Sequence, residues 1–420
     1  MMQPRPTMPD EPANSPVSVI ARHLKSYHNV ALVLQGGGAL GSYQAGAYCA
    51  LLEAGIRPNW LAGISIGAIN SAIIAGNPLE QQADRLRDFW ETITVEVGSP
   101  WPDWPQESHS VMRASINALS SLHALYVGQP GFYEPRLPPP WLLFQGLVGG
   151  RSYYDTSPLR ATLERLVDFD RINAKTVRLS VGSVNVKTGN FTYFDNTTTR
   201  IGPEHVMASG ALPPGFPPVD IDGEFYWDGG VVSNTPLQYV LDFEPRVDTL
   251  AFQVDLWSAR GPLPDNLGEV SERQKDIGYS SRTRYNTDQV ARMQKLRRAI
   301  DRLLSKLPDG LAAEPEAAVL SQYRCRAVMN IVHLIYRRND CETFSKDYEF
   351  SRASMQEHWQ AGYNDTVETL SHPDWLAPPP PSVGVETHDL HRHNEGRGAE
   401  EPVCQAPSAH RARATHHAAA

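Results

Sequence analysis

A serine lies between two glycines in residues 63–67, Gly63-Ile64-Ser65-Ile66-Gly67, where a short apolar run gives way to an apolar helical pattern. A sharp strand-to-helix turn of this kind lifts a serine hydroxyl above the sheet and crowds the positions two residues before and after it, so glycine is needed there. The N–H of Ile66 then points at the reacting carbonyl, and the positive end of the helix strengthens the same field. The spacing predicts that Ser65 is a nucleophile and that Gly63 and Gly67 form its elbow.

A second glycine cluster, Gly36-Gly37-Gly38, lies about one βαβ unit upstream of the serine. It ends the apolar run 30–34 and opens a segment with helical apolar spacing. Bare glycine backbone can approach a reacting carbonyl and donate a second N–H, and each such donor lowers the barrier by roughly 3 kcal/mol. We therefore predict an oxyanion hole made by this cluster and the N–H of Ile66.

The same cluster also satisfies the G-x-G-x-x-G pattern of dinucleotide sites, through Gly36, Gly38 and Gly41. A dinucleotide site needs an acidic residue about 20 positions later, at the end of the next strand. Residues 56–60 contain no carboxylate. The hydrolase interpretation explains both glycine clusters, whereas the dinucleotide interpretation explains one, and we favour the hydrolase.

The candidate general base is Asp228, in Asp228-Gly229-Gly230, which follows a proline-rich crossing over 208–219 and a predicted strand pair. A serine hydroxyl is a poor nucleophile at neutral pH and needs a neighbouring base. An aspartate held by glycine backbone, beside the aromatic Trp227, can accept that proton, and partial burial would raise its pKa. An isolated Asp-Gly-Gly predicts only a turn, so this interpretation depends on the other motifs.

The alternative within hydrolases is a Ser-Asp-His triad, in which a histidine follows the aspartate. His333 is the best placed, inside the apolar run 328–336 that predicts a buried strand. A lone histidine in such a strand is more often structural than catalytic.

Four motifs in this order, at 36–38, 63–67, 208–219 and 228–230, resemble the patatin-like phospholipase family over residues 28–256. The resemblance implies an α/β, three-layer α/β/α fold with a mostly parallel central sheet. It also implies a Ser-Asp dyad without a catalytic histidine, with Ser65 as nucleophile, Asp228 as base and 36–38 as oxyanion loop. Many family members carry Arg or Lys inside the glycine motif, where this chain has Ala39-Leu40, so the resemblance supplies no cation there.

The function implied by the resemblance is hydrolysis of lipid carboxylic esters through an acyl-enzyme, as in a phospholipase A. Two alternatives stay open. One is a catalytically weak protein with the same fold that binds acyl chains or has a regulatory role. The other is an esterase that acts on a non-phospholipid ester, such as an intracellular polyester.

The composition bounds the remaining classes. The chain has 420 residues, 41% of them hydrophobic, with a formal net charge of -9, which argues against nucleic acid as the main partner. Its four cysteines show no C-x-x-C spacing, and we expect no disulfide framework, metal site or cofactor. No apolar window is long enough to span a bilayer, and the N-terminus lacks a secretory signal, so we expect a cytoplasmic protein.

The expected organisation is a disordered tail over 1–26, an acyl hydrolase domain over 27–257, a largely helical C-terminal extension over 258–375 and a second disordered tail over 376–420. The extension resembles one found on some bacterial patatin-like proteins and carries no activity that could be transferred. Residues 97–152 contain Trp101, Trp104 and Trp141 among prolines. They predict an irregular packed insertion, with a lid beside the serine as the alternative.

The expected partner is a lipid or other acyl-ester substrate. A basic helical pattern over 290–307 predicts a solvated face of a docked helix, with peripheral contact to anionic lipid as the alternative.

Overall fold

A computed structural model describes residues 16–96, 109–140, 150–280, 283–337, 342 and 345–390. Its helices are α1 (Pro16–Leu24), α2 (Ser42–Glu53), α3 (Ile66–Ala75), α4 (Gln82–Ile93), α5 (His109–Tyr126), α6 (Ser157–Leu166), α7 (Phe169–Asn173), α8 (Pro203–Ser209), α9 (Leu237–Asp242), α10 (Leu267–Tyr279), α11 (Thr283–Leu304), α12 (Asp309–Ala312), α13 (Pro315–Ser321) and α14 (Arg352–Leu370). Its strands are β1 (Asn29–Leu34), β2 (Trp60–Ile64), β3 (Glu134–Pro135), β4 (Tyr154–Asp155), β5 (Arg178–Asn185), β6 (Phe191–Asp195), β7 (Val219–Ile221), β8 (Glu224–Asp228), β9 (Thr249–Asp255), β10 (Met329–Ile335) and β11 (Val385–Asp389).

Within the described residues, nine strands form one sheet in which β11, β10, β9, β1, β2 and β5 are successive parallel neighbours. Strands β6, β7 and β8 extend it in antiparallel pairing at the β5 end. The short β3–β4 pair stands apart from it. The predicted fold, with a mostly parallel central sheet, is confirmed.

Helices cover both faces of the sheet because its central strands are apolar on both sides. On one face, Leu32 and Leu34 of β1 belong to a core cluster that α2, α3 and α4 complete. On the other face, Ala31 and Val33 pack with residues of α9, and Val290 of α11 lies against them. The alternation of β1 residues between the two clusters follows from the two-residue period of a strand.

The C-terminal part, from residue 258 onward, packs directly on the preceding part of the chain where α14 crosses α2. A Cβ on Gly46 would lie 1.8 Å from the carbonyl oxygen of Trp359, and a Cβ on Gly362 would lie 1.9 Å from that of Tyr43. Glycine on both helices therefore lets the two backbones touch. The hydroxyl of Tyr43 donates to Asp365 at 2.6 Å and ties the same crossing.

Both expected tails contain regular structure within the described residues. The predicted disordered tail from 376 onward contains β11, which pairs in parallel with β10. Its polar sequence gives no strand signal because it lies at the edge of the sheet. The predicted N-terminal tail contains α1, whose Ile20 is buried and whose Leu24 packs on the core. Since β10 and β11 also continue the central sheet, the extension does not form a separate layer.

The insertion is described only in part. Trp101, Trp104 and Trp141 lie outside the described residues, while α5 and the turn leading to β3 lie inside them. None of the helices in the described ranges is both long enough and apolar enough to cross a membrane.

Candidate active site

Ser65 occupies a strained turn between β2 and α3. Its φ of 56° and ψ of −126° are rarely adopted by a residue with a side chain. A Cβ on Gly63 would lie 2.3 Å from the carbonyl oxygen of Gly67, and a Cβ on Gly67 would lie 2.3 Å from that of Leu34. This turn therefore requires glycine at both positions.

A second serine holds this turn. The N–H of Ser65 donates to both the backbone oxygen and the Oγ of Ser209, each at 3.1 Å. The Oγ of Ser209 in turn donates to the carbonyl of Gly182 on β5 at 2.6 Å. Ser209 lies at the start of the proline-rich crossing, and its role could not be predicted because the pattern around it signals only a turn.

Ser65 and Asp228 meet because β2 and β8 share one edge of β5. A strand has two edges, and β6 pairs with residues 180–184 along one of them. On the other edge, β2 ends with Ile64 opposite Gly182, and β8 ends with Asp228 opposite the next residue, Ser183. The serine after the end of β2 therefore lies beside the last residue of β8.

The carboxyl group of Asp228 is buried and has few partners. Its residue is 1% exposed. The N–H of Gly230 donates to its Oδ1 at 2.7 Å, and the neighbouring Ser65 hydroxyl lowers its pKa as a hydrogen-bond donor. Burial raises its pKa to about 7, and these two hydrogen bonds only partly oppose the rise. A carboxylate with this pKa can exchange a proton near neutral pH.

The glycine loop after β1 places backbone beside the serine. The N–H groups of Gly37 and Gly38 donate to no acceptor within the described residues, and both glycines line the cavity above Ser65. Gly38 has a φ of 56°, and a Cβ there would lie 2.1 Å from the carbonyl oxygen of Asp347. Ile66, the first residue of α3, has no intrahelical acceptor for its N–H.

Gly36 has a different role from the one predicted. Its N–H donates to the backbone oxygen of Asn234 at 3.2 Å, so it is not available to an oxyanion. Its carbonyl accepts from Nδ2 of Asn234 at 2.9 Å and from Nε1 of Trp257 at 2.8 Å. Gly36 therefore anchors the loop, and Asn234 and Trp257 are its anchors. Neither was singled out from the sequence, because each contact joins positions about 200 residues apart.

A cavity of about 270 Å³ opens above these groups. Its polar end is formed by the glycine loop, Ser65, Asp228 and Asn234. Its apolar wall includes a cluster of mutually packed rings: Phe132, Tyr133, Tyr154, Phe216 and Phe350. Phe132 and Tyr133 come from the insertion and Tyr154 from β4, while Phe216 comes from the proline-rich crossing and Phe350 from the C-terminal part. The described insertion thus contributes to the wall of the site.

A model of the patatin-like phospholipase family matches residues 32–241, half of the chain. The chain belongs to the patatin-like phospholipase family. A second family model, described as patatin phospholipase, matches residues 277–382. The patatin-like assignment therefore covers the two glycine motifs, the aspartate motif and most of the C-terminal part.

Solved structures similar to this chain include VipD from Legionella pneumophila, at 17% identity over 82% of this chain and 67% of that one, with a TM-score of 0.35. Human GIVD cytosolic phospholipase A2 matches at 15% identity over 57% of this chain and 46% of its own, with a TM-score of 0.27. The type III effector protein ExoU matches at 14% identity over 82% of this chain and 53% of its own, with a TM-score of 0.27. The chain thus spans about half the length of the latter two. A search of the curated proteins finds no match.

The structure places His333 away from the patatin-like site. It lies on β10, opposite Gln253 of β9, which is opposite Val33 of β1. Its backbone is three strand spacings from β2, about 14 Å. His333 does not line the cavity. The geometry therefore gives no support to a triad through this residue.

Proposed function

We propose that the protein is a lipid acyl hydrolase that cleaves carboxylic esters with a Ser65-Asp228 dyad. The observation that carries the proposal is that Ser65 and Asp228 lie side by side at the polar end of an apolar cavity, with the glycine loop 36–38 beside them. Membership of the patatin-like phospholipase family supports the same reaction.

In the first half of the proposed reaction, Asp228 accepts the proton of the Ser65 hydroxyl as Oγ attacks the ester carbonyl. The carbonyl oxygen becomes an oxyanion, which the N–H groups of Gly37, Gly38 and Ile66 stabilise together with the positive end of α3. The tetrahedral species then collapses. The alcohol leaves with the proton from Asp228, and the acyl group stays on Ser65.

In the second half, Asp228 accepts a proton from water as that water attacks the acyl-enzyme. The second tetrahedral species breaks the bond to Ser65, whose Oγ takes the proton back, and the free carboxylic acid leaves. A raised pKa suits both halves, because the same group must accept and return a proton near neutral pH.

The shape of the cavity indicates how the substrate is held. Its volume of about 270 Å³ is room for about nine water-sized units of roughly 30 Å³, and a methylene group is of similar size. The ring cluster would bury the acyl chain, while the polar end receives the ester. We propose a medium-length acyl chain inside the cavity, with any longer chain extending out of the mouth.

The cavity rim suggests contact with a lipid surface. At the C-terminal end of α5, Leu125 lines the cavity and is itself 42% exposed. Its neighbours Leu122, Tyr126 and Val127 are also exposed. Exposed apolar groups continuous with a lipid-binding cavity are typical of membrane contact. We propose that this rim rests on the surface that supplies the substrate.

The test is turnover of p-nitrophenyl acyl esters by the wild-type chain and by Ser65→Ala. The proposal expects hydrolysis by the wild type with a preference for chains of about eight to ten carbons, which the cavity volume holds, and none above background by the variant. Acyl-chain binding without turnover by the wild type would instead identify a binding protein on this scaffold. Equal turnover by both proteins would place the reaction elsewhere.

A further inference from the structure

Helix α10 has an inverted pattern of side chains. Its buried or partly buried face carries Glu272, Lys275, Asp276 and Tyr279, spaced three and four residues apart as one side of a helix requires. Its exposed positions include Leu267, at 85%. A surface helix normally turns its charged side to water. The charges of α10 are instead directed at another segment of the protein.

That segment is 345–350, and Lys346 is its buried cation. The side chain of Lys346 is 4% exposed, and its Nζ lies 3.1 Å from Oε1 of Glu272 and 2.8 Å from Oδ1 of Asp276. It also lies 5.4 Å from the centre of the Trp257 ring. Burial alone would lower the pKa of Lys346, but Asp276 and Glu272 more than offset this and hold it above its ordinary value. Lys346 is therefore a charged, fully paired junction between α10 and 345–350.

The next residue contacts the oxyanion loop. The carbonyl oxygen of Asp347 accepts the N–H of Ala39 at 2.8 Å, directly after the loop glycines. Its carboxylate pairs with Lys275 of α10 at 2.7 Å. Segment 345–350 thus lies between α10 and the loop and is fixed to both.

The far end of α10 contacts residues that border and anchor the same loop. The carbonyl of Tyr279 accepts from Nε2 of Gln35 at 3.1 Å and from Nδ2 of Asn234 at 3.0 Å. Oε1 of Gln35 accepts the N–H of Leu256 at 2.6 Å. The two residues that border and anchor Gly36 are therefore bonded to the C-terminal part of the chain.

From these contacts we propose that the C-terminal extension is a clamp on the oxyanion loop, and that Lys346 is the positioning residue that sets it. The catalytic effect of the clamp rests on the proposed function, whereas its structural effect on the loop does not. Lys346 contacts neither Ser65 nor Asp228 and acts through Asp347.

A buried ion pair is weak evidence for stability, since apolar groups of similar size often replace it at no cost. Its better-supported use is to select one arrangement among several, because charges require particular partners. That is the property an oxyanion loop needs, since donors displaced by less than 1 Å lose much of their effect. Removal of the lysine alone would leave two buried carboxylates unpaired, so the informative variant removes all three charges together.

The test variant is Lys346→Met/Glu272→Gln/Asp276→Asn, and its matched control is Arg297→Met. Arg297 is also buried and joins the extension to α9 through Asp242 at 2.9 Å, but on the opposite face of the sheet. Hydrogen–deuterium exchange at the Ala39 amide reports the clamp directly. Turnover of a soluble short-chain p-nitrophenyl ester and the affinity of a trifluoromethyl ketone, which forms a tetrahedral adduct on serine, report the oxyanion hole.

In the triple variant we expect Ala39 exchange to be at least about tenfold faster, kcat to fall at least about tenfold and KM to change less than about twofold. Ketone affinity should fall with kcat, and Arg297→Met should leave all of these near wild type. Wild-type exchange and kcat in the triple variant, or an equal loss in Arg297→Met, would overturn the proposal. If the triple variant does not fold, Asp276→Asn replaces it, because this variant keeps a balanced Lys346–Glu272 pair. The same changes in Ala39 exchange and kcat are then expected, but smaller. If the wild type hydrolyses no ester, the proposed function fails, and Ala39 exchange still decides on the clamp.

Discussion

Two buried aspartates lie at the ends of strands that pair with β5, and their surroundings are opposite. Asp195, at the end of β6, is 2% exposed and Asp228, at the end of β8, is 1% exposed. The carboxylate of Asp195 accepts from Arg178, Ser180, Thr197 and Tyr239. Among the described residues, the carboxyl group of Asp228 has as partners the backbone N–H of Gly230 and the neighbouring Ser65 hydroxyl.

The difference in partners becomes a difference in chemistry. Burial would raise the pKa of both groups, but the hydrogen bonds from Arg178, Thr197 and Ser180 hold the pKa of Asp195 below its ordinary value. In the part of the chain that the structure describes, no cation offsets the burial of Asp228, and its pKa rises to about 7. One sheet thus holds a carboxylate that is ionised at neutral pH and fixes structure, and another that can exchange a proton there. Burial alone does not distinguish a base from a structural acid; the partners do.

The largest expected effect is on turnover. Asp228→Asn removes the proposed base and should lower kcat/KM for a p-nitrophenyl ester by about 10⁴-fold, as loss of the group that handles the proton does in serine hydrolases. Asp195→Asn, measured per folded molecule, should stay within about threefold of wild type. Similar losses in the two variants would break the distinction between the aspartates.

The same pair of variants should shift stability in opposite directions. Because the folded pKa of Asp228 lies above its unfolded value, stability falls as pH rises from about 4 to about 7, by up to about 4 kcal/mol. Asp228→Asn should therefore stabilise the fold at pH 8 and have no such effect below pH 4.

For Asp195 the folded pKa is lowered, so its contribution is present at neutral pH and is lost as pH falls below the ordinary value. Asp195→Asn leaves Arg178 unpaired between the Trp60 and Phe243 rings and should destabilise the fold by about 3 kcal/mol at pH 7. Urea unfolding of both variants at pH 4 and pH 8 measures the direction in which each one changes the free energy of unfolding. A stability gain for Asp195→Asn at pH 8, or a loss for Asp228→Asn, would contradict the assignment of partners.

A smaller effect concerns the cavity, which Asp228 lines and Asp195 does not. Phe350→Ala removes one ring from the apolar wall and leaves roughly 100 Å³, room for about three water-sized units. The preferred acyl chain should lengthen by about three methylene groups, with kcat/KM for the present optimum falling severalfold. A series of p-nitrophenyl esters from four to sixteen carbons measures it, and Val232→Ala, at a residue 57% exposed, is the control. An unchanged preference would show that the acyl chain does not occupy this wall.

The smallest effect is expected at His333. If Asp228 acted through a histidine, its comparison with Asp195 would mean little, because the base would be elsewhere. His333→Ala should leave kcat/KM of the folded protein within about twofold of wild type, since the residue is distant from the site. A loss comparable to that of Asp228→Asn would restore the triad.

The two glycine turns of the site are easier to predict from the sequence than the walls of its cavity. The elbow at 63–67 and the loop at 36–38 are readable because a strained turn and a close backbone approach each demand glycine, whatever the rest of the fold does. Such requirements act within a few residues and leave a local pattern.

The parts that sequence reasoning missed depend on distant pairings. Gly36 is an anchor because of Asn234 and Trp257, and the clamp exists because Asp347 reaches Ala39 across the chain. The sequence of β11 predicts a disordered tail because edge strands commonly carry polar residues. Each of these features depends on a contact between residues far apart in the sequence, which the local composition does not show.

The most direct test of the central claim is the pH dependence of Ser65 labelling by a fluorophosphonate, followed by mass spectrometry, in the wild type and in Asp228→Asn. If Asp228 is the base, modification occurs at Ser65, with a rate that rises through pH of about 7 to a plateau in the wild type and is slow and flat in Asp228→Asn. Modification of another serine, or the same pH profile in both proteins, would contradict it.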